Sequence, residues 1–280
     1  MKKIVIAGKG SYIGNRLKAY LEAASDSYAV EELDTLQYNE DACDFHGVDA
    51  VVCVAGIAHI KETAENRHLY YTVNRDLPVS IARKAKEQGV RQFVFLSSMS
   101  VYGKESGVIT PDTKPEPKSA YGDSKWQAEQ QLDALRSEDF AVAVLRPPMV
   151  YGKDCKGNFQ TVVKIVEKLP VFPQINNRRS MIYIDNLSAF IQLCLDQVKD
   201  GVFCPQNKEY VQTSAMARVI AEQKQKKVFF SRLLGLAVRV IRPFVSMANK
   251  AFGDLIYEGT EQDDYAYCVV DEVASFKRSV

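Results

Sequence analysis

A chain of 280 residues, 46% hydrophobic and 25% charged, is long enough to bury a full α/β core together with a smaller second lobe. Its net charge of +1 offers no basic footprint for nucleic acid, and no lysine-rich run or zinc spacing suggests one. Six cysteines at positions 43, 53, 155, 194, 204 and 268 form no C-x-x-C pair, and the first residues lack the apolar region of a signal peptide. Reduced thiols in a cytoplasmic protein are the expectation.

Residues 3–7 read as an apolar strand that enters a glycine-bearing turn and then an amphipathic helix over 12–24. Gly8 allows the tight turn, Gly10 and Ser11 let backbone approach a pyrophosphate, and Gly14 lets the helix pack closely on the strand. The spacing departs from G-x-G-x-x-G, because Ile13 takes the sixth position. A second strand, 28–33, ends at Asp34, whose carboxylate would accept from a ribose 2′-hydroxyl and repel a 2′-phosphate, which favours NAD over NADP. Lys9 pulls weakly the other way. Between Asp34 and Asp49 the chain is too short for a further helix and strand, and Asp44 is the one weak candidate there for an adenine contact.

A strand over 50–55, a helix from near Pro78 to Glu87 and a strand over 92–96 follow. The last runs into Ser97, Ser98 and Ser100. Ligands of open α/β sheets bind at the carboxyl ends of strands, so Ser98 stands where a catalytic hydroxyl would be expected, while Ser100 reads as satisfying backbone groups in the turn. The helix expected over 121–135 carries Tyr121 and Lys125, whose four-residue spacing puts a phenol and an ammonium on one face. A free phenol titrates near 10, and one cation about 4 Å away at an effective dielectric of about 20 contributes roughly 4 kcal/mol toward ionising it.

A strand over 141–145 completes the regular alternation, which predicts a Rossmann-like, doubly wound parallel sheet. After Pro147-Pro148 the pattern loosens into helices over 159–169 and 185–196 and a Thr213-capped helix to 222. The expected division is a dinucleotide-binding domain over 1–148, to which 181–198 returns, and a smaller substrate cap over 149–280. Residues 232–252 are strongly apolar but interrupted by Arg239, Arg242, Pro243 and Lys250, which argues against a spanning helix. A helix buried in the cap or a subunit interface is expected, with a helix lying on a membrane surface as the alternative.

Taken together, several segments resemble the extended short-chain dehydrogenase/reductase family in its nucleotide-sugar epimerase and dehydratase branch. They are the Gly8 to Gly14 turn, Asp49 to Gly56, Val73-Asn74, Ser97-Ser98 with Val101-Tyr-Gly103, Tyr121 to Lys125, Leu145 to Gly152 and Arg179 to Asn186. The resemblance implies that Ser98 hydrogen-bonds the reacting sugar oxygen, Tyr121 exchanges its proton, and Lys125 binds the nicotinamide ribose and lowers the pKa of Tyr121. It implies an NAD or NADP site lined by Gly8, Gly10, Ser11, Tyr12, Ile13, Gly14, Asp34, Val54, Ala55, Gly56, Asn74, Ser97 and Pro148, besides Tyr121 and Lys125. Asn158 and Arg179 would meet the nucleotide diphosphate, and Arg178 is an equal candidate by charge. Ser11 stands where the family usually has glycine. The implied partner is a nucleotide sugar, and the family often looks dimeric.

Measured against the family's branches, Met99 and Ser100 can supply neither the acid nor the base that a 4,6-dehydratase carries after its hydroxyl residue. No nearby glutamate serves decarboxylation, and His46, His59 and His68 lie too early for the histidine of an epimerase acting at C3 and C5. What remains is hydride transfer at one carbon, C4, as a 4-epimerase, with a 4-reductase of a 4-keto-6-deoxy sugar as the alternative. A non-catalytic dinucleotide sensor is the alternative from another class.

Overall fold

The computed structural model describes residues 1–24, 27–58, 60–155, 157–241, 245, 249, 251–260 and 263–280, the side chains of Asn158 and Asp263 apart. His59, Lys156, Arg242, Pro243 and Lys250 therefore lie outside the described residues. Apolar segments between residues 2 and 145, with one more at 201–203, form six parallel strands: β1 (Lys2–Ala7), β2 (Tyr28–Leu33), β3 (Ala50–Cys53), β4 (Gln92–Leu96), β6 (Ala141–Leu145) and β10 (Gly201–Phe203). Their order across the sheet is β10-β6-β4-β3-β1-β2. The order of strand addition reverses at β1, which pairs with β2 on one side and with β3 on the other. Such a switch leaves a crevice at the carboxyl ends of the two central strands.

Alternation along the strands separates two apolar layers. Val5, Val51, Cys53, Phe93, Phe95, Val142 and Val144 share a cluster with Ala82 and Ala85 of α3 (Leu77–Glu87) and with Ala128 and Leu132 of α4 (Ala120–Asp133). The short stretch after Asp34 contributes to the same cluster. Phe45 and Val48 are buried in it, Tyr38 and Cys43 pack against it, and the Gln88 side chain accepts from the Phe45 backbone at 2.6 Å. A loop with two inserted apolar side chains thus stands where a further helix and strand would be, and β2 is left as the sheet edge.

Two compact units result: residues 1–103 with 114–147 and 187–205, and residues 104–113 with 148–186 and 206–280. The second contains three two-stranded parallel pairs, β7 (Met149–Tyr151) with β9 (Met181–Tyr183), β8 (Val171–Pro173) with β11 (Phe229–Ser231), and β5 (Gly107–Ile109) with β12 (Leu255–Tyr257). Its aromatic centre is Tyr151, whose ring lies 5.4 Å from Phe159 and 5.3 Å from Phe276. In α7 (Thr213–Gln223) the expected threonine cap is absent, since Gln212 holds the cap position. Thr213 is the first helical residue, its hydroxyl donating to the Ala251 carbonyl at 2.8 Å and accepting from Asn177 at 3.0 Å.

Residues 232–241 form α8 (Arg232–Ile241), which is not buried within its own unit: Leu233 is 82% exposed and Val240 66%. The apolar composition of the segment does not say which way its face turns. Gly235 decides the outcome. It is the buried residue of the helix, and a Cβ there would meet the Gln174 carbonyl at 2.1 Å, so backbone packs on backbone and the leucines face out.

Candidate active site

The turn after β1 is shaped by glycine. Gly8 has φ +127°, and a Cβ on it would meet the Ala55 nitrogen and Val54 Cγ2 at 3.0 Å, so the turn lies directly on the end of β3. A Cβ on Gly14 would meet the Gly8 carbonyl at 3.0 Å, whereas one on Gly10 would meet nothing within 4 Å. Close packing on one side and open space on the other is what an anionic diphosphate at a helix N-terminus requires. Ser11 caps α1 (Tyr12–Ala23), its hydroxyl accepting from the Gly14 nitrogen at 3.1 Å, which gives this residue a task glycine could not perform. Tyr12 and Ile13 open the helix half-buried. Asp34, just past β2, is half-buried, and one of its oxygens accepts from the Leu36 nitrogen at 3.0 Å. Asp44, by contrast, is exposed and bonded to His46 at 2.7 Å.

At the end of β3, Gly56 is exposed between two buried groups, for a Cβ there would stand 2.9 Å from Asn74 Oδ1 and 3.2 Å from Lys125 Nζ. Asn74 lies in a wide π-helical turn, Thr72–Asp76, inserted ahead of α3. Its amide is fully buried, accepting from the Ile57 nitrogen at 2.8 Å and donating to the Ile57 carbonyl at 3.0 Å and to Ser124 at 3.3 Å. Such turns mark functional positions because they displace a side chain from the regular helical face.

The first turn of α4 sets Tyr121. Ser119 caps it by accepting from the Gly122 nitrogen at 3.1 Å, and Glu62 accepts from the Ala120 nitrogen at 3.0 Å. A Cβ on Gly122 would come within 2.5 Å of the Ser100 carbonyl, so glycine lets this turn approach the segment after β4. That approach brings Tyr121 beside Ser98, whose side chain acts on the phenol's titration. Ser98 also caps the short helical turn Met99–Tyr102, accepting from the Ser100 nitrogen at 3.1 Å, while its hydroxyl lies 3.2 Å from Ser100 Oγ. The capping group is thus Ser98 rather than Ser100.

Burial pushes the Tyr121 phenol up and the Ser98 side chain pulls it back. The expected lowering by Lys125 is not part of that balance, because its ammonium is turned to the strand ends, donating to the carbonyls of Leu96 at 2.8 Å and Ala55 at 3.4 Å. Lys125 is 3% exposed, lies 4.5 Å over the Phe95 ring, and is pushed down by burial from its ordinary 10.5 to about 8. The unfolded chain therefore binds more protons than the folded one between about pH 8 and 10.5, and stability rises with pH across that window. At 1.36 kcal/mol for each tenfold change, the rise attributable to this lysine is about 3 kcal/mol. Urea unfolding of the cofactor-free protein and of Lys125→Met at pH 7.5 and 10 measures it as the difference between the two proteins. An equal pH response in the variant would show that the lysine is not held charged at a cost. Using the variant as reference removes Cys53, which burial raises to about 11 and which contributes with the opposite sign.

Two charged residues that the sequence did not single out stand behind this site. Glu129, one turn beyond Lys125 on α4, and Arg146, just after β6, are 4% and 7% exposed. Arg146 donates through Nε at 3.1 Å to both carboxylate oxygens and through an η nitrogen at 2.5 Å, and also to the Tyr102 hydroxyl at 2.8 Å. Ser97 donates its hydroxyl to Glu129 as well, so a contact between Ser97 and a cofactor falls to its backbone. An arginine ending the apolar run of β6 was the available signal, since a buried guanidinium requires a carboxylate.

The second unit holds the remaining expected residues, Pro148, Asn158, Arg178 and Arg179. Asn158 begins α5 (Asn158–Lys168), and its side chain lies outside the described residues. Charge did not separate the two arginines, but burial does. Arg178 is exposed, its guanidinium 5.7 Å from the Tyr210 ring centre. Arg179 is 9% exposed, donates to the Gly253 carbonyl at 2.9 Å, and keeps a buried Nε without a partner. Burial lowers its pKa, and an anion against that fork would satisfy the free N–H.

The parallel sheet and its glycine turn define a protein of the dinucleotide-binding class. Residues 4–203 match the model of the NAD dependent epimerase/dehydratase family. The chain belongs to that family. Over 246 residues it is 32% identical to a UDP-glucose 4-epimerase of Vibrio cholerae, covering 79% of this chain and 75% of that protein. Over 218 residues it is 27% identical to an N-acetyl-alpha-D-glucosaminyl-diphospho-ditrans,octacis-undecaprenol 4-epimerase of Escherichia coli O157:H7, covering 71% of this chain and 64% of that one. A UDP-glucuronic acid 4-epimerase from Bacillus cereus, solved with NAD, shares the fold at TM-score 0.76 and 17% identity over 99% of this chain and 97% of its own. A dTDP-4-dehydrorhamnose reductase from Clostridium acetobutylicum does so at 0.69 and 20% identity, over 82% of each chain. Among the described residues, no helix is long and apolar enough to cross a membrane, none of the six cysteines is in a disulfide, and no cluster has the makings of a metal site.

Proposed function

We propose that this chain is an NAD-dependent 4-epimerase of a nucleotide sugar, with UDP as the nucleotide, acting in the synthesis of bacterial surface-polysaccharide precursors. The observation that carries the reading is Tyr121 set beside Ser98 in the first turn of α4, with the buried Lys125 ammonium held at the carboxyl ends of β3 and β4. Tyr121, once ionised, takes the proton of the C4 hydroxyl, and Ser98 donates a hydrogen bond to the same sugar oxygen. The Gly8–Gly14 turn, Asp34, Ala55, Gly56, Asn74 and Lys125 would hold the dinucleotide, with Asp34 favouring NAD over NADP. The chemistry a bound dinucleotide would supply is reversible hydride acceptance from C4, which would let the hydride return to the other face of that carbon. Tyr121 then gives its proton back to the oxygen. Arg179, with its free buried N–H, suits the diphosphate of the substrate, and we assign substrate binding mainly to the second unit and cofactor binding to the first. A cytoplasmic location, a homodimer and peripheral membrane contact through 232–252 complete the proposal.

The test is incubation of the purified protein with UDP-glucose, UDP-N-acetylglucosamine and a 4-keto-6-deoxy derivative of the latter, with and without reduced cofactor, followed by NMR. Interconversion of axial and equatorial C4 sugars without added reduced cofactor is expected. Consumption of the keto sugar only with added NADH or NADPH would make the enzyme a reductase, and no conversion of any sugar would favour a non-catalytic dinucleotide sensor.

A further inference from the structure

A helix on the surface of a soluble protein ordinarily turns its apolar stripe to the core. In α8 the arrangement is reversed. At about 100° per residue, Leu236, Val240, Leu233, Ile241 and Leu234 fall within one arc of about 160°. Their exposures are 62, 66, 82, 52 and 39%, while Gly235 on the opposite side is buried against Gln174. A contiguous outward apolar face of this kind marks a surface with a partner.

Charge identifies the partner. From 229 to 252 the sequence has Arg232, Arg239, Arg242 and Lys250 and no aspartate or glutamate. By the same helical spacing Arg232 and Arg239 lie at one edge of the apolar arc, where they line a cleft of about 450 Å³ with Asp254 at its wall. Two copies meeting through α8 would bring these arginines together without carboxylates on the helix to pair them. An anionic lipid leaflet meets both requirements, offering hydrocarbon to the leucines and phosphates to the arginines.

We propose that α8 binds the surface of an anionic phospholipid membrane, its apolar arc lying in the headgroup and acyl boundary and Arg232 and Arg239 pairing with lipid phosphates. This goes beyond the catalytic reading and does not depend on it. It would place the second unit, to which we assign substrate binding, where a membrane-linked sugar-transfer reaction consumes the product.

The full-length protein is sedimented with vesicles of phosphatidylcholine alone and of phosphatidylcholine mixed with phosphatidylglycerol. Binding to the anionic vesicles about 20-fold tighter than to the neutral ones is expected, roughly fivefold for each arginine. Arg232→Gln with Arg239→Gln should remove that preference, and Leu233→Ser with Leu236→Ser should weaken binding about tenfold or more. The leucines are exposed, so the substitutions leave the fold intact, as thermal melts will show. Failure of the unaltered protein to sediment with either vesicle would overturn the proposal, and so would a dimer in solution that the leucine substitutions split. Turnover of a soluble nucleotide sugar, followed in the same samples, separates the two readings: vesicle binding without turnover leaves this inference standing and removes the catalytic one.

Discussion

Tyr121→Phe should lower turnover about a thousandfold while leaving NAD affinity within a factor of about two, because proton transfer by a positioned side chain contributes roughly 10²- to 10⁴-fold. The substitution removes one oxygen and leaves the ring in place, so the first turn of α4, fixed by Ser119, Glu62 and the Gly122 approach to Ser100, keeps its position. Cofactor affinity, measured by fluorescence titration, reports the Gly8 turn and Asn74, which the ring does not carry. A companion substitution tests the electrostatics. The Ser98 side chain lowers the pKa of the phenol against burial, so Ser98→Ala should move the rising limb of the pH–kcat profile to higher pH as well as reducing kcat. If Tyr121→Phe retained turnover, the phenol would not be the proton carrier, and a sensor role for the dinucleotide would gain ground.

What made this site readable in the sequence was short range. The turn from Gly8 to Gly14, the strand ending at Ser97-Ser98 and the four-residue spacing of Tyr121 and Lys125 are each local patterns, and local backbone geometry decides them. The parallel, doubly wound sheet followed because strands and helices alternate with little between them. The long-range facts were hidden. Arg178 and Arg179 are neighbours of equal charge, and only the folded chain shows that one is exposed while the other is buried with a free N–H. The orientation of α8 rests on the contact of Gly235 with a carbonyl 61 residues earlier, at Gln174, which no helical period reveals. The direction of the Lys125 ammonium rests on Leu96 and Ala55. Spacing alone pointed that ammonium at Tyr121, whereas in the fold the Leu96 and Ala55 carbonyls hold it.

Removing one partner of the Arg146–Glu129 pair should be the largest single loss of stability in the first unit. Burial alone would lower the pKa of Arg146, but hydrogen bonds and the charge of Glu129 reverse this and raise it, a measure of how completely the pair is closed. The guanidinium also lies over the rings of Tyr102 and Trp126, at 5.1 and 5.4 Å. Arg146→Met would leave the Glu129 carboxylate in the core with Ser97 as its remaining donor, at a cost of about 3 to 5 kcal/mol. The sign is a loss, and urea unfolding of Arg146→Met beside the unaltered protein measures it. Adding Glu129→Leu removes the orphaned charge and should recover most of the loss, since an apolar pair of similar volume commonly replaces a buried ion pair without penalty. Activity is not expected to return with stability. Glu129 holds Ser97, the neighbour of Ser98, and stands one turn from Lys125 on the helix that carries Tyr121, so the double variant should fold well and turn over slowly. Full activity in that variant would show that the pair serves the core alone and leaves Ser98 and Tyr121 where they are.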